Sequence, residues 1–327
     1  TPLYSSAASD VYKRQTLAFD LMGDIYTLPI EGGKATPFTS GMAYETHPRF
    51  SPDGSKILFT SDRAGSDNLW YIDQVEKDTV QVTKDKSGDV PGAAWTPDGK
   101  YIVVSKGRRI AKLWMYHIDG GGGIQLNENP STMKTIDPVV SPDGKKVYFS
   151  HRNGAWNYNA LLPQYQIGTY DFEKGQITSI TSRYGSAFTP TLSKDGNWMV
   201  YGSRWEDKTG LVLRNLQTGD EKWLAYPVQR DEQESIAPQG VLPAMAFTPD
   251  SKSVIASYGG KIWKLAVDGS PAQEIPFEVD VKLAMGPRLY FNYEIKDSTA
   301  KLATQIRDGV PSPDGKKLAF TALNRLY

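Results

Sequence analysis

The chain has 327 residues, enough for one large domain that buries about three quarters of its unfolded surface. Its 37 Lys and Arg balance 37 Asp and Glu, so no net field gathers phosphate backbones or an anionic membrane, and nucleic acid is not an expected partner. It has no Cys, which excludes disulfides and thiolate metal sites, and no apolar run approaches the roughly 20 residues of a membrane span.

Residues 5–15, SSAASDVYKRQ, resemble a sequencing adapter translated in frame. Residues 1–15 are therefore expected to be a non-native or disordered N-terminal segment, and a signal peptide of the parent would lie upstream of it. From Thr16 the pattern is strand-like: Leu17–Asp20, Asp24–Leu28 and Ala35–Phe38 fit the second, third and fourth strands of a unit whose first strand is missing.

One word then recurs six times, centred on Asp53, Asp98, Asp143, Asp195, Asp250 and Asp314. In five copies Gly follows the Asp, as Gly54, Gly99, Gly144, Gly196 and Gly315, and in one copy Ser251 does. Pro-Asp-Gly fixes one φ, supplies a side-chain acceptor for nearby N–H groups and ends on a residue tolerant of φ > 0, so each copy is a hairpin turn. One carboxylate per repeat used in this way leaves too few oxygens for a calcium site. Successive Asp residues lie 45, 45, 52, 55 and 64 apart, at or above the length of one four-stranded propeller blade. Apolar second strands follow the turns, as in Lys56–Thr60 and Lys146–Phe149; aromatic third strands such as Asn68–Ile72 and short fourth strands such as Val80–Thr83 complete the units. The last copy stops in its third strand at Tyr327. The pattern predicts an all-β propeller of four-stranded blades over residues 16–327, seven with the first and last incomplete, or six if a terminal unit stacks elsewhere.

Blades of the form PxFSPDGxxIxFTSDRxGxxNLWYID resemble TolB-type propeller repeats. Phe19–Pro29, Gly259–Trp263 and Gln305–Gly315 resemble, more narrowly, propellers fused ahead of metal-dependent amidohydrolases. That resemblance implies a non-catalytic accessory domain acting in substrate access or protein–protein contact, fragmentary here, whose partner is a covalently linked or associated hydrolase domain. The alternatives are a freestanding TolB-like propeller that binds a protein or peptide, or the propeller of a tricorn or prolyl-oligopeptidase type peptidase. It further implies a bacterial periplasmic or secreted location and a C-terminal barrel holding zinc or another divalent metal through a His-x-His motif. The chain itself implies no cofactor and no metal: His47, His117 and His151 form neither His-x-His nor His-Glu-x-x-His, and Gly-x-Ser-x-Gly is missing.

Binding residues are expected on the face opposite the Pro-Asp-Gly turns, where a rigid scaffold presents its loops. That face collects His47, Arg63, His151, Arg152, Trp156, Arg204, Trp205 and the acidic stretch Asp231–Glu234. His47 suits either hydrogen-bonded packing or a ligand role. For Arg63, Arg152 and Arg204, interblade salt bridges compete with an anion or carboxylate site; for Trp156 and Trp205, packing on loop stems competes with a ligand platform.

Overall fold

The computed structural model describes residues 10–12, 16–154, 161–235, 240–287, 289–292, 294 and 297–327, and contains strands and turns but no helix among them. They fall into two compact units, Thr1–Ala284 and Met285–Tyr327.

The first unit holds six four-stranded antiparallel sheets, each a meander in chain order. The second sheet, for example, runs Glu45–Phe50, Lys56–Ser61, Asn68–Asp73 and Thr79–Gln81. The others begin at Asp10–Tyr12, Ala93–Trp95, Met133–Val140, Phe188–Leu192 and Ala246–Phe247. The second strands read as unbroken apolar runs because both of their faces are covered by neighbouring sheets: Ile57, Leu58 and Phe59 are fully buried, as are Ile102, Val103 and Val104. Apolar clusters lie at the junctions, two of them between the first and second sheets, where Ala18 packs with Phe50 and Ile57 and Ile25 with Phe59 and Ile72. Leu58 and Leu69 pack with Trp95 and Ile102, Val103 with Val147 and Phe149, Ile167 with Met199 and Tyr201, and Val200 with Val254 and Ala256.

The junction that closes the ring joins the sixth sheet to the first. Leu17, Phe19 and Tyr26 share a core with Ile255, Ile262 and Ile275, and Phe277–Glu278 adds a parallel pairing with Gly33–Lys34. The first unit is thus a ring of six. The final Pro-Asp-Gly copy belongs to the second unit, a three-stranded sheet of Arg307–Pro311, Leu318–Ala322 and Arg325–Leu326.

One expectation from the sequence is corrected. The first sheet does have a first strand, since Asp10–Tyr12 pairs antiparallel with Thr16–Ala18. Backbone pairing asks little of side chains, and the open edge of Thr16–Leu21 presents unpaired N–H and C=O groups that any adjacent extended segment can satisfy.

The repeated turns share one hydrogen-bond pattern. Ser51 Oγ donates to Asp53 Oδ1 at 2.6 Å, the Ser55 amide donates to the same oxygen, and the Lys56 amide donates back to Ser51 Oγ. Thr96–Asp98, Ser141–Asp143, Ser193–Asp195, Thr248–Asp250 and Ser312–Asp314 repeat the first bond at 2.5–2.6 Å. The residue after each Asp is left-handed, from φ 74° at Gly54 to φ 60° at Ser251. The Ser51 hydroxyl and Ser55 amide hold the Asp53 carboxyl down to about 2.

Candidate functional site

The inner strands of the second to sixth sheets and the residues beside them line a channel of about 430 Å³. In three of them the pairing slips by one residue, between Thr46 and Arg49, Ile136 and Val139, and Phe188 and Thr191. The residue at each slip has a left-handed backbone: His47 at φ 57°, Asp137 at φ 52° and Thr189 at φ 53°. A proline follows each one, placed where the ladder is already broken and no amide proton is needed. A bulge re-aims its side chain, and all three residues line the channel, each four positions before the Ser that opens the turn word. Gly92 and Ala244 occupy the same repeat position in the third and sixth sheets and also line the channel.

Asp137 is the chemical centre of this wall. Thr189 Oγ1 donates to its Oδ2 at 3.1 Å, and Ser150 Oγ reaches the same oxygen at 3.4 Å. Ser150 Oγ in turn accepts the Thr189 amide at 2.8 Å, which ties the fourth sheet to the fifth. A Cβ on Gly240, at φ 90°, would stand 2.9 Å from Asp137 Oδ1. The residue keeps some access through the channel but is surrounded by protein deep in the wall. That desolvation pushes its carboxyl up to about 7, against the opposing pull of Thr189, Arg49, Ser150 and Lys134. At neutral pH the wall therefore carries a group poised between acid and carboxylate.

The residues anticipated on the loop face do not converge on one site. His47 lines the channel and its Nδ1 lies 3.0 Å from Thr46 Oγ1. Arg63 is paired with the buried Glu45, bonded to Ser61 Oγ and stacked over Phe59 and Trp70. Arg204 is held by Asp231 at 2.6 Å and Glu234 at 3.0 Å, with Thr209 donating to Asp231 at 2.5 Å. His151 faces Ser179 Oγ at 3.3 Å, and burial lowers its pKa. Trp205 is exposed, and its carbonyl accepts the Tyr226 hydroxyl. Trp156 lies outside the described residues.

Arg152 differs from the other two arginines. It is 4% exposed, its guanidinium lies 5.3 Å from the Tyr165 ring centre, and among the described residues neither Nε nor Nη1 has a hydrogen-bond partner. Directly across the strand pair is Lys134, also buried.

Asp137, Thr189, Lys134 and Tyr165 escape a reading that sorts residues by loop face. The signal that locates the first two is positional: aligning the repeats on the turn word puts His47, Asp137 and Thr189 in one column, each before a proline.

The model of the "TolB beta propeller domain" matches residues 13–156 and 70–276. The chain is 26% identical over 187 residues to the uncharacterized peptidase YuxL of Bacillus subtilis, covering 55% of this chain and 25% of that protein. It is 29% identical over 326 residues to Tricorn protease homolog 1 of Streptomyces coelicolor, covering 90% of this chain and 28% of that one. It thus spans about a quarter of the length of each of these two curated relatives. Among solved structures, TolB from Acinetobacter baumannii superposes with a TM-score of 0.62 at 19% identity over 75% of this chain and 57% of that chain, a likeness of fold. With its repeats, its six-sheet ring and a family match covering most of its length, the chain belongs to the TolB beta propeller domain family.

Proposed function

We propose that this propeller is a non-catalytic recognition module of a larger hydrolase, taking a polypeptide or the hydrolase domain itself on the face where the channel opens between His47, Asp137 and Thr189. The observation that carries the reading is the channel itself. Its volume lies in the range of ligand-binding cavities, and its polar wall is built at a repeat position where backbone strain of about 1 kcal/mol or more per residue is retained. Two relatives bearing peptidase or protease names, each about four times the length matched, support a module within a longer enzyme.

The finer reading is an amidohydrolase parent, in the periplasm or secreted, as the wording of Phe19–Pro29 and Gly259–Trp263 implies. Its barrel, and not this chain, would hold the divalent metal that activates water for carbon–nitrogen bond hydrolysis. Recovering the reading frame beyond Tyr327 tests both levels. About 400 further residues with His-x-His after a strand are expected, the size of an α/β barrel with insertions. A long continuation with Gly-x-Ser-x-Gly instead would keep the hydrolase and replace the amidohydrolase with a serine peptidase. A frame that closes within one more blade would overturn the linked-hydrolase reading.

A further inference from the structure

The second unit repeats the design of the sheets in the ring. Ser312 Oγ donates to Asp314 Oδ1 and the Lys317 amide donates back to Ser312 Oγ, as the Ser51 hydroxyl and the Lys56 amide do in the second sheet. The pairing of Arg307–Pro311 with Leu318–Ala322 slips between Arg307 and Val310, and Asp308 at the slip has a left-handed backbone at φ 56°. Asp308 stands four positions before Ser312, the place that His47, Asp137 and Thr189 hold before their own turn words. Thr321 Oγ1 donates to Asp308 Oδ2 at 3.0 Å, matching the approach of Ser150 Oγ to Asp137 Oδ2.

Its burial is the opposite of theirs. Leu318 is 58% exposed, whereas Ile57, Ile102, Val147, Met199 and Val254, which hold the same place after their turn words, are fully buried. Val310 and Leu326 are exposed as well. In the ring a second strand is apolar because a neighbouring sheet covers each of its faces, and one repeat cannot bury those faces alone. The ring itself is already closed at six, its sixth sheet packing on its first through a core that includes Ile255 and Ile262 with Leu17 and Phe19. The apolar faces of this further sheet are thus blade-junction faces, and in all six sheets of the ring such a face is covered by another blade.

We propose that Arg307–Leu326 belongs to a blade of a second propeller, covered on both faces by further blades of the same repeat on the same polypeptide, and that Asp308 takes the place on its axial wall that Asp137 has in the first. Propellers are built of about four to eight blades, so at least about three further turn words are expected. The bulge that turns Asp137 toward the first axis turns Asp308 toward the second. This goes beyond the recognition-module reading and does not depend on it.

The test compares the 327-residue chain with the protein recovered with its full reading frame. The chain has no Cys, so Leu318→Cys and Asp308→Cys each add one thiol to it, and labelling is read by mass spectrometry of the peptide concerned. In the 327-residue chain both variants are expected to react with a polymer-linked maleimide. In the recovered protein, labelling of Leu318→Cys is expected to fall at least about tenfold, and Asp308→Cys is expected to react with a small methanethiosulfonate but not with the polymer-linked reagent, as a channel wall requires. Hydrogen exchange of the wild type gives the same reading without a variant: Leu318–Ala322 should exchange sooner than Ile57–Phe59 in the 327-residue chain and as slowly in the recovered protein. Equal labelling of Leu318→Cys in the two proteins overturns the proposal, as does a dimer of the 327-residue chain that protects this position, which assigns the sheet to a second copy. Polymer-linked labelling of Asp308→Cys in the recovered protein overturns the axial placement. Three or more further turn words without a hydrolase motif would sustain the second ring and sink the linked-hydrolase reading; a continuation that enters a barrel directly would do the reverse.

Discussion

Thr189 donates its hydroxyl proton to Asp137 at 3.1 Å across the junction of the fourth and fifth sheets, and both residues hold the same left-handed backbone at the same repeat position. A device of the scaffold, the bulge that breaks three of the inner strands, is thereby also the device that presents polar side chains to the axis.

The turn carboxylates should contribute to acid stability. Their pKa values are depressed at Asp53, Asp98, Asp143, Asp195 and Asp314, so each contributes stability above the ordinary carboxylate range and loses it as pH falls through the folded value, about 2 for Asp53. Asp143→Ala should cost about 1 kcal/mol at pH 7 by removing the bonds from Ser141 and the Lys145 amide. Urea unfolding at pH 7 and pH 2.5 checks it: the gap between variant and wild type should narrow at the lower pH.

Removing Arg204 should be far more damaging than removing a surface arginine. Arg204→Met leaves Asp231, whose side chain has no exposed surface, without its counter-ion, and a loss of about 3–5 kcal/mol is expected. Arg230→Met, whose side chain is 77% exposed, should change stability by less than about 0.5 kcal/mol. Denaturant midpoints of the two variants make the comparison.

Gly185 marks a close approach of two backbones. A Cβ there would stand 1.6 Å from the Arg204 carbonyl oxygen, whereas one on Gly122 meets nothing within 4 Å. Gly185→Ala should therefore cost about 2 kcal/mol or more, with Gly122→Ala near neutral, as read from thermal unfolding of the two proteins.

The six turns and the strands they join are legible in the sequence because each depends on local chemistry, an Asp acceptor and a left-handed residue in adjacent positions. Ring closure is not, since it rests on a buried cluster that brings Leu17 and Ile262 together from opposite ends of the first unit. The arginines illustrate the same limit. Arg63, Arg152 and Arg204 look alike in sequence, and only the placement of Glu45 and Asp231 separates the two that are paired from Arg152, which has no ion pair among the described residues. Asp137 resembles any Asp-Pro turn residue until the bulge turns it toward the axis and burial raises its pKa.

The most direct test of an axial wall built at the bulge position is the titration of Asp137 itself, followed by its carboxyl ¹³C resonance and assigned with Asp137→Asn. Its folded pKa lies above its ordinary value of 3.8, so its share of stability is fully present below about pH 4 and is lost as pH rises toward 7. The account predicts a midpoint near 7, and a wild type that loses stability relative to Asp137→Asn between pH 4 and 7. A midpoint near 4, with parallel stability curves, would contradict it.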